Sequence, residues 1–178
     1  IKIDSVIPIP DTGRASATGL ADKVKARYRE GFVKNRYIGR TFIMPGQKMR
    51  KRSLKFKLHP ISLEFKGKNV LLVDDSIVRG NTSKKIVELV REAGAKKVYF
   101  ASASPPIIGP DPYGIDLPTE SELIAGSKDI EEIRKFIGAD GLFYSKIEDL
   151  HKAITYGTKK IKKFSEGCVT KKSPTPEV

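Results

Sequence analysis

One cysteine, two histidines and the want of any long apolar run set the first limits on this chain of 178 residues. With Cys168 alone, no intramolecular disulfide closes and no cysteine-ligated metal cluster forms. His59 and His151 stand far apart without a ligand-like spacing, so they read as surface or packing residues. Any metal used here is then a hard ion held by oxygen. No segment approaches the roughly 20 apolar residues of a membrane span. The opening residues, with Asp4, Pro8 and Pro10, suit neither a signal peptide nor an anchor. A soluble, cytoplasmic protein with no membrane partner is expected. Ser-His-Asp and Cys-His constellations, internal repeats and a helix-turn-helix are all missing as well.

What is present points to a globular chain. Hydrophobic residues make up 39% and charged residues 31%, enough to build one ordinary core. The net charge of +13 calls for an anionic partner or a solvated surface. It concentrates in two places: Lys48, Arg50, Lys51, Arg52, Lys55 and Lys57, and Lys159, Lys160, Lys162, Lys163, Lys171 and Lys172. Nucleic acid and a polyphosphate substrate are the two partners such clusters fit.

The chain opens without methionine in a strand-like segment, Ile1 to Ile9, so a leading part is expected to be missing. Ala17, Leu20, Ala21 and Val24 fall on one face of a helix over 15–26. Arg29 to Val33 reads as a short strand, and 34–57 as a long cationic loop of the kind that carries function. Val70 to Val73 suits a strand buried on both faces. A helix is predicted over 81–93, stopped by Gly94, then a strand over 97–102. Thr119 with Glu122, and Ser145 with Glu148, form capping-box patterns before short helices. A helix marked by Ile130, Ile133 and Ile137 ends at Gly138, and Leu142 to Tyr144 is an edge-strand candidate. The alternation predicts an α/β fold with a mainly parallel sheet flanked by helices. Residues 1–157 form the domain, and 158–178 a basic tail expected to pack poorly.

The chemistry centres on Val70-Leu71-Leu72-Val73-Asp74-Asp75-Ser76-Ile77-Val78-Arg79-Gly80-Asn81-Thr82-Ser83. A hydrophobic strand delivers two acids to its C-terminal end, where ligands bind in open α/β sheets. Gly80 permits close backbone approach, and the helix starting at Asn81 offers free N–H groups and positive potential to a phosphate. Carboxylates beside a phosphate cradle repel it unless they bind sugar hydroxyls or a divalent ion. A ligand of ribose, phosphate and magnesium satisfies all three parts. The bland alternative is a pair of acids closing a strand with Thr82 as a mere helix cap.

The run resembles the phosphoribosyl-diphosphate (PRPP) motif of type I phosphoribosyltransferases. Within them the chain is similar to the amidophosphoribosyltransferases through Val6 to Thr12, Gly31 to Gln47 and Tyr113 to Asp116. The resemblance covers about Ile3 to Ile154 and implies the type I phosphoribosyltransferase fold. It also implies a reaction: ammonia displaces diphosphate from PRPP to give 5-phosphoribosylamine, the first step of purine synthesis. By the same resemblance, PRPP is bound by Asp11, Thr12 and Gly13 at the diphosphate and by Asp74, Asp75, Ser76, Ile77, Val78, Arg79, Gly80, Asn81, Thr82 and Ser83 at the ribose and 5′-phosphate. One magnesium ion per active site is held by Thr12, Asp74 and Asp75. Tyr37, Arg40 and Lys57 take catalytic roles in a flap over 37–57 that closes on the substrate and excludes water. Arg50, Lys51 and Arg52 remain equally readable as a solvated surface, and Tyr113 to Asp116 as a tight turn.

The match breaks off in places. These 178 residues supply nothing that matches the family's glutaminase domain with its N-terminal cysteine, so transfer from free ammonia is expected of them and glutamine hydrolysis is not. Some relatives hold an iron–sulfur cluster through four cysteines; Asp111 stands at one of those positions and Cys168 is alone, so no cluster is expected. Homo-oligomers and inhibition by purine nucleotides are implied by resemblance only. A salvage or orotate phosphoribosyltransferase and a PRPP-sensing transcriptional regulator stand as alternatives.

Overall fold

The computed structural model describes residues 1–35, 58–110, 119–158, 160, 161 and 163–172. At its centre lie β1 (Ser5–Pro8), β2 (Arg27–Tyr28), β5 (Asn69–Asp74), β6 (Lys97–Ser102) and β7 (Gly141–Tyr144), in the order β2-β1-β5-β6-β7. Every neighbouring pair is parallel, as the strand–helix alternation leads one to expect. A separate antiparallel pair joins β3 (Phe32–Lys34) to β4 (Leu58–Pro60).

Side-chain alternation splits the central strands between two cores. Val6, Leu71, Val73 and Ala101 face α1 (Arg14–Val24), whose Ala17 and Ala21 are buried against them. Ile7, Val70, Leu72 and Phe100 face the opposite side. There α3 (Asn81–Glu92) buries Ile86, Val87, Leu89 and Val90, and α5 (Ile130–Ile137) buries Ile133 and Ile137. Residues 70–73 are continuously aliphatic because both faces of β5 are covered. α5 has reciprocal N-terminal capping between Asp129 and Glu132, and Gly138 closes it in the left-handed region. Short helices α2 (Ser62–Phe65), α4 (Ile124–Ser127), α6 (Ile147–Thr155) and α7 (Gly167–Thr170) complete the layers.

Several sequence expectations need correction. The strand read over 29–33 straddles a break: β2 ends at Tyr28, residues 29–31 belong to no strand, and only Phe32 and Val33 fall in β3, which lies in the other sheet. Arg29 N–H still donates to Val6 O at 3.0 Å, after which the chain leaves the main sheet and Phe32 packs on Phe65 with ring centroids 5.3 Å apart. Neither expected capping box forms. Thr119 heads only a single 3₁₀ turn, Glu120–Glu122, and its hydroxyl meets Ser121 Oγ at 3.2 Å instead of capping the turn, while the Glu122 carboxylate, still in contact with Thr119, is held chiefly by Arg79. Ser145 N–H donates to Ser102 O, so it extends the sheet, and Lys146 takes the N-cap position of α6.

The tail is better packed than expected between Lys163 and Lys172. Cys168 O accepts the N–H groups of Ile108 at 2.8 Å and Gly109 at 3.2 Å. Phe164 stacks on His151 at 4.6 Å, and His151 Nε2 lies 2.6 Å from Glu166. These contacts join residues too sparse among lysines to show any periodicity. Among the described residues no helix is long and apolar enough to cross a membrane.

Candidate functional site

The strand order contains a reversal. From β1 the chain moves outward to β2 at one edge, then returns to the other side of β1 as β5 and continues outward through β6 and β7. In an open parallel sheet, such a reversal leaves a crevice at the C-terminal ends of the two strands that flank it. Those ends carry residues 9–13 after β1 and residues 74–80 after β5.

The loop after β1 stays close to β5. Ile9 N–H donates to Val73 O at 2.8 Å, and Gly13 N–H returns to Ile9 O at 3.1 Å. A Cβ on Gly13 would sit 2.3 Å from Val73 O, so only hydrogen fits there. The Pro10–Asp11 peptide is cis. Helix α1 begins at once, with Gly13 as N-cap, no side-chain cap and no acid in its first turn. Asp11 and Thr12 are exposed. The Asp11 carboxylate takes Arg14 Nη1 on one oxygen at 2.8 Å and Lys34 Nζ on the other at 2.6 Å.

At the end of β5 the two acids part company. Asp75 is exposed, and its Oδ1 accepts the Ser76 amide at 2.7 Å. Asp74 is 9% exposed, and its Oδ1 accepts the Asp75 amide at 3.0 Å. Burial, reinforced by the neighbouring Asp75 charge, pushes the Asp74 carboxyl up to about 7, against the Asp75 amide bond that favours its ionised form. Backbone bonds from Ala103 to Asp74 O and from Ser104 to Asp75 O, 2.9 and 2.8 Å, fix the loop to the extension of β6.

Beyond the acids the side chains turn to different tasks. Ile77 is buried in the core, and Ser83 is 3% exposed. Arg79 makes a two-pronged pair with Glu122, both contacts at 3.1 Å. Val78 O accepts the Ile124 amide at 3.0 Å. Gly80 adopts φ +72°, and a Cβ there would meet Ile124 Cδ1 at 2.7 Å. Gly80 is the N-cap of α3, again without a side-chain cap or an acid in the first turn. Asn81 and Thr82 are exposed at that helix start.

The crevice is thus flanked by two uncapped helix starts, on α1 and α3, with one open and one shielded carboxylate between them. Helix starts of this kind attract anions. Asp74 has no ion-pair partner among the described residues, so a hard cation or sugar hydroxyls would stabilise its charged form. Among the described residues no group of three or more His, Cys, Asp or Glu side chains gathers as a ready-made metal cage. One or two carboxylates plus ligand phosphates are the donor set magnesium accepts.

The structure brings Asp11, Thr12, Gly13, Asp74, Asp75, Ser76, Gly80, Asn81 and Thr82 to the C-terminal ends of the adjacent strands β1 and β5. Ile77 and Arg79 lie on the same loop with their side chains engaged elsewhere, Ser83 is buried in the first turn of α3, and Val78 offers backbone. Tyr37, Arg40, Lys57 and the segment 113–116 fall outside the described residues. Sequence reasoning placed a short helix near 119–125 but missed that Glu122 and Ile124 pack against the loop at residues 78–80. It also missed Arg14 beside Asp11, although an acid and an arginine three residues apart at a helix start are a readable signal.

The phosphoribosyl transferase domain profile matches residues 1–104. The chain is 58% identical to the amidophosphoribosyltransferase of Pseudomonas aeruginosa over 162 residues, which is 91% of this chain and 32% of the relative. It is 54% identical to the Escherichia coli amidophosphoribosyltransferase, over 92% of this chain and 32% of that one. Among solved structures, the B. subtilis glutamine PRPP amidotransferase complexed with ADP and GMP superposes with a TM-score of 0.84 at 44% identity, covering 98% of this chain and 38% of that one. The chain therefore spans about a third of the length of these curated relatives.

Proposed function

The chain belongs to the phosphoribosyl transferase domain family, and on that footing we propose that it binds PRPP in the crevice between β1 and β5 and transfers the phosphoribosyl group to ammonia. The ammonia lone pair forms the new bond to C1 of the sugar. The bond from C1 to the diphosphate oxygen breaks, the electron pair leaves with diphosphate, and the nitrogen sheds a proton to water. The product is 5-phosphoribosylamine, the opening step of purine synthesis.

Neutral ammonia needs no strong base, so the protein's work is positioning and electrostatics. The start of α3 receives the 5′-phosphate through the amides and hydroxyls of residues 80–83. Asp74 and Asp75 accept the ribose hydroxyls. Asp11, Thr12 and Gly13 face the diphosphate at the start of α1. Thr12, Asp74 and Asp75 would hold one magnesium ion, which supplies charge neutralisation on the departing diphosphate. Tyr37, Arg40 and Lys57 act from the flap in the same reading. A purine nucleotide carries a phosphate that suits the same helix starts, and the relative bound to ADP and GMP supports inhibition of this kind. The reading places the chain in the cytoplasm as a homo-oligomer, with a glutaminase domain as partner and neither nucleic acid nor membrane.

The observation that carries the proposal is the pairing of Asp74 and Asp75 with the uncapped start of α3 at the strand-order reversal. The test mixes the chain with PRPP, magnesium and ammonium at alkaline pH and follows diphosphate release. Release that depends on ammonium is expected. Release elicited only by a purine or orotate would convert the reading to a salvage enzyme. Saturable PRPP binding without turnover, joined to tight binding of duplex DNA, would convert it to a regulator.

A further inference from the structure

We propose that Glu30 is a positioning residue for the diphosphate end of the site, acting through Arg14 on Asp11; the inference rests on the PRPP reading above. Four contacts build a chain of side chains. Tyr28 Oη donates to Glu30 Oε1 at 2.6 Å. Arg14 Nε and Nη2 donate to the two Glu30 oxygens at 3.0 and 3.3 Å. Arg14 Nη1 then reaches Asp11 Oδ1 at 2.8 Å, and Lys34 Nζ holds Asp11 Oδ2 at 2.6 Å. The chain ties β2, the first residue of α1, the loop after β1 and β3 to one carboxylate at the mouth of the crevice.

The geometry follows from the guanidinium. Its donors lie in one rigid plane, so a carboxylate that grips Nε and Nη2 also sets where Nη1 points. Glu30 is itself fixed by the Tyr28 hydroxyl, and the Arg14 bond keeps the Glu30 carboxyl below its ordinary range. A single exposed ion pair such as Arg14 with Asp11 holds its shape weakly. A connected set anchored in a strand holds it better.

Asp11 is an acid where a polyanion is to bind, and that arrangement works only while its charge is compensated. Arg14 and Lys34 provide that compensation, one on each oxygen. Without Glu30 the guanidinium regains its rotamers, the Arg14 bond to Asp11 loosens, and a less restrained carboxylate opposes the diphosphate. Removal of an acid near an anion site has the opposite effect if charge alone matters, since it strengthens anion binding. The two accounts differ in sign.

The test uses two probes on the whole chain by calorimetry: inorganic diphosphate with magnesium, and ribose 5-phosphate, which engages only the Asp74 to Ser83 side. In Glu30→Ala, diphosphate binding is expected to weaken roughly two- to fivefold, with ribose 5-phosphate binding unchanged. Arg14→Ala is expected to weaken diphosphate binding at least as much, and the double variant no more than Arg14→Ala alone, because Glu30 works through Arg14. Unchanged or tighter diphosphate binding in Glu30→Ala overturns the proposal, as do additive losses or an equal loss for both probes. If the unaltered chain binds neither probe, the PRPP reading falls and takes this inference with it. If it binds both and Glu30→Ala makes no difference, only the role of Glu30 falls.

Discussion

Replacing Asp74 by asparagine should make the unliganded chain more stable while destroying its proposed ligand site. In the folded chain this carboxyl is lifted from 3.8 to about 7, chiefly by burial and secondarily by Asp75. At about 1.4 kcal/mol for each tenfold change in acidity, that displacement is on the order of 4 kcal/mol. The sign follows from proton counting. Below about pH 4 both folded and unfolded chains hold the proton and the group is neutral in its effect. Between about pH 4 and 7 the unfolded chain releases it while the folded chain retains it, so stability declines as pH rises. Above the folded value the whole penalty is present.

The amide side chain of the Asp74→Asn variant cannot ionise, and its carbonyl oxygen can still accept the Asp75 amide. Burial of the new NH₂ group offsets part of the gain, so an increase of about 2–4 kcal/mol near pH 8 is expected, with a clearly smaller gap near pH 5. For a chain of this size that corresponds to a rise in Tm of roughly 5–10 °C. Urea and thermal unfolding without magnesium or ligand measure it directly. Adding magnesium and PRPP should stabilise the unaltered chain and leave Asp74→Asn unmoved, a trade of stability against function. The reasoning is refuted if Asp74→Asn is less stable than the parent near pH 8, or if the gap between them does not change with pH.

Three further outcomes are expected. Gly13→Ala would place a methyl 2.3 Å from Val73 O, a clash expected to cost about 3 kcal/mol or more and to abolish PRPP binding; thermal unfolding at the parental Tm would contradict it. Gly80→Ala meets both φ +72° and Ile124 Cδ1 at 2.7 Å, so a loss of about 1–3 kcal/mol and weaker ribose 5-phosphate binding should appear in unfolding and titration experiments. In Asp140, burial alone would raise the carboxyl, but the Val98 amide, Lys97 and Arg91 together bring it down to about 2. Its stabilisation is present above the ordinary value of 3.8 and lost as pH falls through about 2. Asp140→Asn should therefore cost about 2 kcal/mol at neutral pH, with the gap from the parent closing in acid.

Legibility in the sequence followed the length and directness of the local signal. Val70 to Val73 announced a doubly covered strand because four aliphatics in a row have few other uses, and β6 emerged with its expected bounds. α3 and α5 declared themselves through apolar spacing and the glycines that stop them. The site loop was readable because a strand end, two acids, a glycine and a helix start occur consecutively. What stayed hidden depends on partners distant in sequence. Glu122 satisfies the capping-box pattern with Thr119, yet its carboxylate pairs with Arg79, 43 residues away. Arg29 to Val33 had strand composition, but the change from one sheet to another is decided by where β1 and β4 lie. The docking of Phe164 and Cys168 rests on His151 and the 108–109 backbone, which no local pattern in the lysine-rich tail foretells. Glu30 carried no signal at all, since its meaning comes from Arg14 and Asp11 arriving beside it.

The central claim is that the backbone at the start of α3 receives a phosphate with the β5 acids beside it. Backbone amide NMR during titration with ribose 5-phosphate tests this most directly. The largest shifts should fall on Gly80, Asn81, Thr82 and Ser83, followed by Asp75 and Ser76, and should vanish in Gly80→Ala. Shifts centred instead on the cationic cleft at the opposite end of the sheet, around Lys25, Arg27 and Lys68, with the 80–83 amides unmoved, would contradict it.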